Sequence, residues 1–166
     1  IHKKISYLFY EGNIYCADNL GNLYSLDSGS GEIVWIKNYG KFFNSKIKII
    51  NNKIVLVDQD DSFLLINLED GSLDWSLESQ VFLLKSGFLN SVVATGANSI
   101  AYTTSSGNIV NIDTKNKNVL WTISAVRLLK GEREDFLKNS DLVVENEVLY
   151  YSNIYRTIAI DSVNGK

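Results

Sequence analysis

The strongest constraint in this sequence is a ruler set by its three tryptophans. Trp35, Trp75 and Trp121 each stand eight residues after a short polar residue, Asp27, Asn67 and Asp113, and a fourth such residue, Asp161, opens the same motif again. The four anchors are spaced by 40, 46 and 48 residues. Other positions fall into the same register: Gly31, Gly71, Lys117 and Gly165 come four residues after the anchors, and Ile14, Ile54, Ile100 and Val148 come thirteen before them. Agreement at so many offsets defines an internal repeat, and a repeat of this length restricts the chain to an array of like units.

Each unit reads as strands. Its apolar runs are short, rich in Ile, Val, Leu and Tyr, and separated by clusters of Asn, Asp, Ser and Gly, which is the pattern of strands joined by tight turns. For the second repeat the pattern predicts strands at 46–50, 53–58, 62–67 and 72–77, with turns at Asn51-Asn52, Gln59-Asp60-Asp61 and Glu69-Asp70-Gly71. Four short antiparallel strands per repeat make the blade of a β-propeller. Strands apolar on both sides suit a blade packed between two neighbours.

The expected fold is therefore all-β: an incomplete β-propeller of about three full blades and most of a fourth, with repeats near 1–38, 46–78, 90–124 and 141–166. A closed seven- or eight-bladed ring at this repeat length needs roughly 300–380 residues. A sequence of 166 residues with no Met reads as a trimmed piece, about half of such a ring. The remaining blades would come from the rest of the chain or from another copy.

The repeat residues have mechanical tasks. An Asp or Asn at a strand end accepts hydrogen bonds from the amides of the following turn, and Gly adopts the positive φ that closes such a turn. Trp is large and flat, so it suits the seam between adjacent blades, with its indole N–H donating to a carbonyl. Asp27, Gly31, Trp35, Asn67, Gly71, Trp75, Asp113, Trp121, Asp161 and Gly165 are thus assigned as structural motif residues.

This arrangement resembles the tryptophan-docking repeat of quinoprotein-type (PQQ-repeat) β-propellers. The closest matches are Tyr24-Ser25-Leu26-Asp27-Ser28-Gly29-Ser30-Gly31-Glu32-Ile33-Val34-Trp35 and Ala159-Ile160-Asp161-Ser162-Val163-Asn164-Gly165-Lys166. Asn67 replaces the Asp, Lys117 replaces the Gly, and the alanine two before the anchor survives only as Ala159, departures that weaken individual turns. The family includes quinone-dependent dehydrogenases, the propeller lipoprotein subunit of the outer-membrane β-barrel assembly machinery, and lumenal stress-sensor domains. The resemblance implies a non-enzymatic protein-binding scaffold at the periplasmic face of the outer membrane, with other assembly subunits as partners. The alternatives are a fragment of a quinone-dependent dehydrogenase and a stress-sensor domain.

Composition narrows the chemistry. Sixteen basic and 19 acidic side chains give a net charge of −3, without the cationic surplus that nucleic-acid binding requires. No apolar run approaches the roughly 18 residues of a membrane span. The single cysteine, Cys16, closes no internal disulfide and reads as a packing residue in a strand; it also lacks the vicinal partner that the resemblance would lead one to expect in a dehydrogenase. His2 is the only histidine, so triads and multi-histidine metal sites lack material. Asp58, Asp60, Ser62 and Glu69 imitate calcium-loop positions 1, 3, 5 and 12, but Phe63 stands where that loop needs Gly, and a solvated hairpin turn is the preferred reading. No catalytic, cofactor-binding or metal-binding residue is assigned.

Two longer connections between repeats complete the expectations. Residues 81–89 are apolar and either pack on a neighbouring blade or form a partner patch through Phe82, Leu83 and Phe88. Residues 126–138 mix charge with apolar residues and are either a solvated insertion or a contact loop carrying Arg127, Arg133 and Phe136.

Overall fold

The computed structural model describes residues 5–18, 20–79, 89–125, 141–152 and 157–166. These residues form fifteen strands in three four-stranded sheets and one three-stranded sheet, and every pairing is antiparallel and between consecutive strands. The chain divides into two compact units, Ile1–Gln80 and Val81–Lys166.

In the first unit, β1 (Ser6–Tyr10), β2 (Asn13–Ala17), β3 (Asn22–Asp27) and β4 (Ile33–Asn38) form one sheet, and β5 (Lys48–Ile50), β6 (Lys53–Val57), β7 (Phe63–Asn67) and β8 (Leu73–Leu77) form the next. The strands predicted for the second repeat are found within one or two residues of their expected ends. In the second unit, β9 (Val92–Ala94), β10 (Ser99–Thr103), β11 (Asn108–Asp113) and β12 (Asn118–Ser124) form a sheet, and β13 (Val143–Glu145), β14 (Val148–Ser152) and β15 (Thr157–Asp161) form the shorter one.

Local chemistry fixes the register. Three of the first hairpins turn on two residues with positive φ: Glu11-Gly12, Asn51-Asn52 and Asn146-Glu147. Such turns twist in the sense of the flanking strands, so the hairpin closes without splaying. In the first unit, Tyr15, Ala17 and Leu23 of one sheet pack with Ile54, Leu56 and Ile66 of the other as a single buried cluster. Ala101, Ile109, Leu149, Tyr151 and Ile160 do the same in the second unit. Each fully buried aliphatic side chain contributes about 1.5–3 kcal/mol. Successive residues of β6 and β7 are buried, so both faces of that sheet are covered. By contrast, one face of the first sheet is open: Tyr7, Phe9 and Ile36 are half or more exposed.

One irregularity recurs beside every tryptophan. Ser25 pairs with Trp35 but Leu26 pairs with Ile33, which leaves Val34 as an extra residue. Asp74 is the extra residue before Trp75, and Leu120 before Trp121. A bulge of this kind bends the strand and re-aims the next side chain.

Candidate functional site

The anchor turns position everything at the blade seams. Asp27 accepts from the amides of Gly29 and Ser30 at 3.0 and 2.7 Å, Asp113 from Lys115 and Asn116 at 2.8 and 2.9 Å, and Asp161 from Val163 and Asn164 at 2.8 and 3.0 Å. The amide of Ser30 holds the Asp27 carboxyl below the usual carboxylate range, and that of Asn116 does so for Asp113. Asn67 handles its turn differently. Its amide donates to the Ser72 hydroxyl while Asp70 accepts from the Ser72 backbone at 2.9 Å, and Lys53 donates to the Asn67 carbonyl oxygen. The turns close through the amides of Gly31, Gly71 and Gly165, which donate to the carbonyls of Asp27, Asn67 and Asp161. All three glycines have φ between 66° and 74°, and Lys117 takes φ 56° at the equivalent place.

Two tryptophans dock on the next sheet of their own unit. The Trp35 indole N–H donates to the Leu68 carbonyl at 3.1 Å, and that of Trp121 to the Ser162 carbonyl at 3.1 Å. Leu68 and Ser162 each directly follow an anchor. A Cβ on Gly71 would lie 2.6 Å from the Trp35 ring, and one on Gly165 would lie 3.0 Å from the Trp121 ring. Gly at this position therefore serves the ring above it as well as the turn. A Cβ on Gly31 would meet nothing within 4 Å. Trp75 lies against Phe63, their ring centroids 5.9 Å apart. Tyr39 reinforces the first seam by donating to the Gly71 carbonyl at 2.6 Å, and burial, then the charge of Asp70, pushes its phenol pKa up.

The residue opposite the docked tryptophan differs between the units. In the second unit it is Asn111, fully buried, which accepts from Thr95 Oγ1 at 2.9 Å and donates to the Ser162 carbonyl at 2.9 Å, the same oxygen that Trp121 uses. In the first unit it is Ser25, 1% exposed. Its hydroxyl and that of Ser162 are the two buried side-chain polar atoms without a partner among the described residues. A narrow cleft opens at this point, lined by Glu11, Asn13, Ser25, Trp35, Leu68 and Glu69 among others.

Sequence reasoning missed a second set of turn residues, nine positions before the anchors. Asp18 accepts from the amides of Leu20 and Asn22 at 2.8 and 2.9 Å, Asp58 from Asp60 and Ser62 at 2.8 and 2.9 Å, and Thr104 from Asn108 at 3.1 Å. The signal was present as short oxygen-bearing side chains at one offset. Asp58 also faces Lys41 at 3.6 Å and Asp60 faces it at 3.4 Å, and the Asp58 charge raises the Lys41 pKa. The Asp58 carboxylate is thus engaged by turn amides and a lysine. Among the described residues no three His, Cys, Asp or Glu side chains converge as metal ligands. Cys16 is half-buried and its thiol pKa is pushed up by burial. Phe82, Leu83, Phe88, Arg127, Arg133 and Phe136 lie outside the described residues.

Comparisons with known proteins agree with this geometry. A solved structure titled "The crystal structure of BamB from Moraxella catarrhalis" superposes with a TM-score of 0.73 over 93% of this chain and 48% of that one, at 16% identity. The fold is accordingly that of part of a β-propeller. The outer membrane protein assembly factor BamB of Moranella endobia (strain PCIT) is 34% identical over 64 residues, 39% of this chain and 16% of the relative. The chain thus spans about half the length of the solved relative and less of the curated one. The family profile described as outer membrane protein assembly factor BamB matches residues 6–166. The chain belongs to that family of PQQ-type repeat propellers.

Proposed function

We propose that this chain is part of a non-enzymatic, protein-binding propeller that serves outer-membrane β-barrel assembly from the periplasmic side. The observation that carries this reading is the family match over residues 6–166. The chemistry supports it: the anchor aspartates, glycines and tryptophans are occupied in closing turns and joining sheets. A rigid propeller of this kind acts by presenting surface and loops to partners. The segments at 81–89 and 126–138, with Phe82, Leu83, Phe88, Arg127, Arg133 and Phe136, are the contact loops in this proposal.

The same reading supplies an occupant for the open side of the first sheet. Tyr7, Phe9 and Ile36 expose an apolar face, and Gly31 presents a docking turn with no ring on it among the described residues. A further blade of this repeat type covers both, its tryptophan seated on Gly31 as Trp35 sits on Gly71.

Removal of the intact protein from its cell tests the function. The expected result is a lowered level of folded outer-membrane β-barrel proteins, restored by the wild-type protein and not by one lacking residues 81–89 and 126–138. Unchanged barrel-protein levels on removal overturn the proposal.

A further inference from the structure

We propose that the cleft at the first blade seam receives the guanidinium or ammonium end of a basic side chain from a partner protein. The protein source of that side chain rests on the function proposed above; the chemistry of the cleft does not.

The second unit shows what chemistry the position accepts. There the carboxamide of Asn111 sits opposite Trp121 and adds an N–H donor to the Ser162 carbonyl at 2.9 Å. In the first unit Trp35 donates to the matching Leu68 carbonyl at 3.1 Å, but the residue opposite it is Ser25, too short to supply the second donor. The Ser25 hydroxyl is buried, without a partner among the described residues, and Ser25 lines the cleft. What is left open is therefore the room and the polar partners for a small, planar N–H donor, matched within the same fold by a donor that does fit.

Charge selects among such donors. Glu11 and Glu69 are exposed at the cleft, Asn13 adds a carbonyl oxygen, and among the described residues no Lys, Arg or His lines it. Two carboxylates beside the Trp35 indole favour a cation over a neutral amide and disfavour an anion. A guanidinium is planar, carries several N–H donors and stacks on aromatic faces, so arginine fits better than lysine.

The test uses the intact protein and two blocked tripeptides, acetyl-Gly-Arg-Gly-amide and its citrulline counterpart, which keeps the shape and loses the charge. Binding is read by calorimetry and by the Trp35 indole N–H resonance. The arginine peptide is expected to shift that resonance saturably and to bind about tenfold tighter than the citrulline peptide, the scale of one charge-assisted hydrogen bond. Ser25→Asn, which places the Asn111 carboxamide in the cleft, is expected to abolish binding while raising the thermal midpoint. Should Ser25→Asn fail to fold, the rim variant Glu11→Gln/Glu69→Gln carries the test, with an expected loss of threefold or more. No saturable shift, or equal binding by the wild type and both variants, overturns the cleft. Peptide binding with assembly-partner recovery unchanged in Ser25→Asn overturns the protein source and leaves a free cation as the guest. Loss of partner recovery in the wild type would instead count against the proposed function alone.

Discussion

Adding a single methyl group to Gly71 tests whether tryptophan docking holds the first two blades together. Gly71 has φ 66°, and a Cβ there would lie 2.6 and 2.7 Å from two atoms of the Trp35 ring and 2.9 Å from the Lys37 side chain. The backbone term for an alanine in the left-handed region is about 1–2 kcal/mol. The ring must then lift off, which weakens the indole bond to Leu68, about 1 kcal/mol. Uncovering roughly a third of an aromatic side chain's 150–250 Å² costs about 1–2 kcal/mol more. Gly71→Ala is therefore expected to destabilise by about 3–5 kcal/mol in equilibrium urea unfolding. Gly12→Ala is the control, because Gly12 has φ 81° and a Cβ there meets nothing within 4 Å. It carries the backbone term alone, about 1–2 kcal/mol. Equal losses for the two variants, within about 0.5 kcal/mol, would refute the docking contribution.

Gly31→Ala separates two states of the same surface: within the 166-residue chain its loss should match that of Gly12→Ala, whereas in the intact protein it should match that of Gly71→Ala if a further blade docks there. Lys117 holds φ 56°, so Lys117→Gly should raise stability by about 0.5–1 kcal/mol after the added freedom of the unfolded chain is counted, measured as a higher urea midpoint at constant m-value. The Asp27 and Asp113 carboxyls are held below their ordinary 3.8 by the amides of Ser30 and Asn116. A carboxyl depressed in this way contributes its stabilisation above the unfolded value and loses it as pH falls through the folded value. The urea midpoint should accordingly fall on acidification below about pH 4, and Asp27→Asn/Asp113→Asn should flatten that fall; an unchanged acid slope contradicts the assignment.

The fold was legible because the repeat places like residues at like offsets. Ile14, Ile54, Ile100 and Val148 begin or lie near the start of the second strand of each sheet, and Trp35, Trp75 and Trp121 lie on the fourth. Turn chemistry was readable where Asn-Asn or Asp-x-x-x-Gly spelled it out. The bulge before each tryptophan was not, because Val34, Asp74 and Leu120 share no chemistry; the backbone alone makes them equivalent. Lys117 suggested a weakened turn, yet the chain adopts the same left-handed φ there as at the glycines. Gly71 and Gly165 looked like turn residues only. That a ring rests on each depends on contacts across more than 30 residues, which spacing does not reveal. The cleft was equally hidden, since it arises from the difference between Ser25 and Asn111 at one register position.

Whether these blades belong to a protein-assembly scaffold is decided most directly by recovering the intact protein from detergent-solubilised outer membranes. The expected result is copurification with outer-membrane β-barrel assembly subunits in fixed ratio, and loss of that ratio in a folded protein lacking residues 81–89 and 126–138. A folded wild-type protein recovered without those subunits, and showing saturable quinone binding with dye-linked alcohol oxidation, would contradict it.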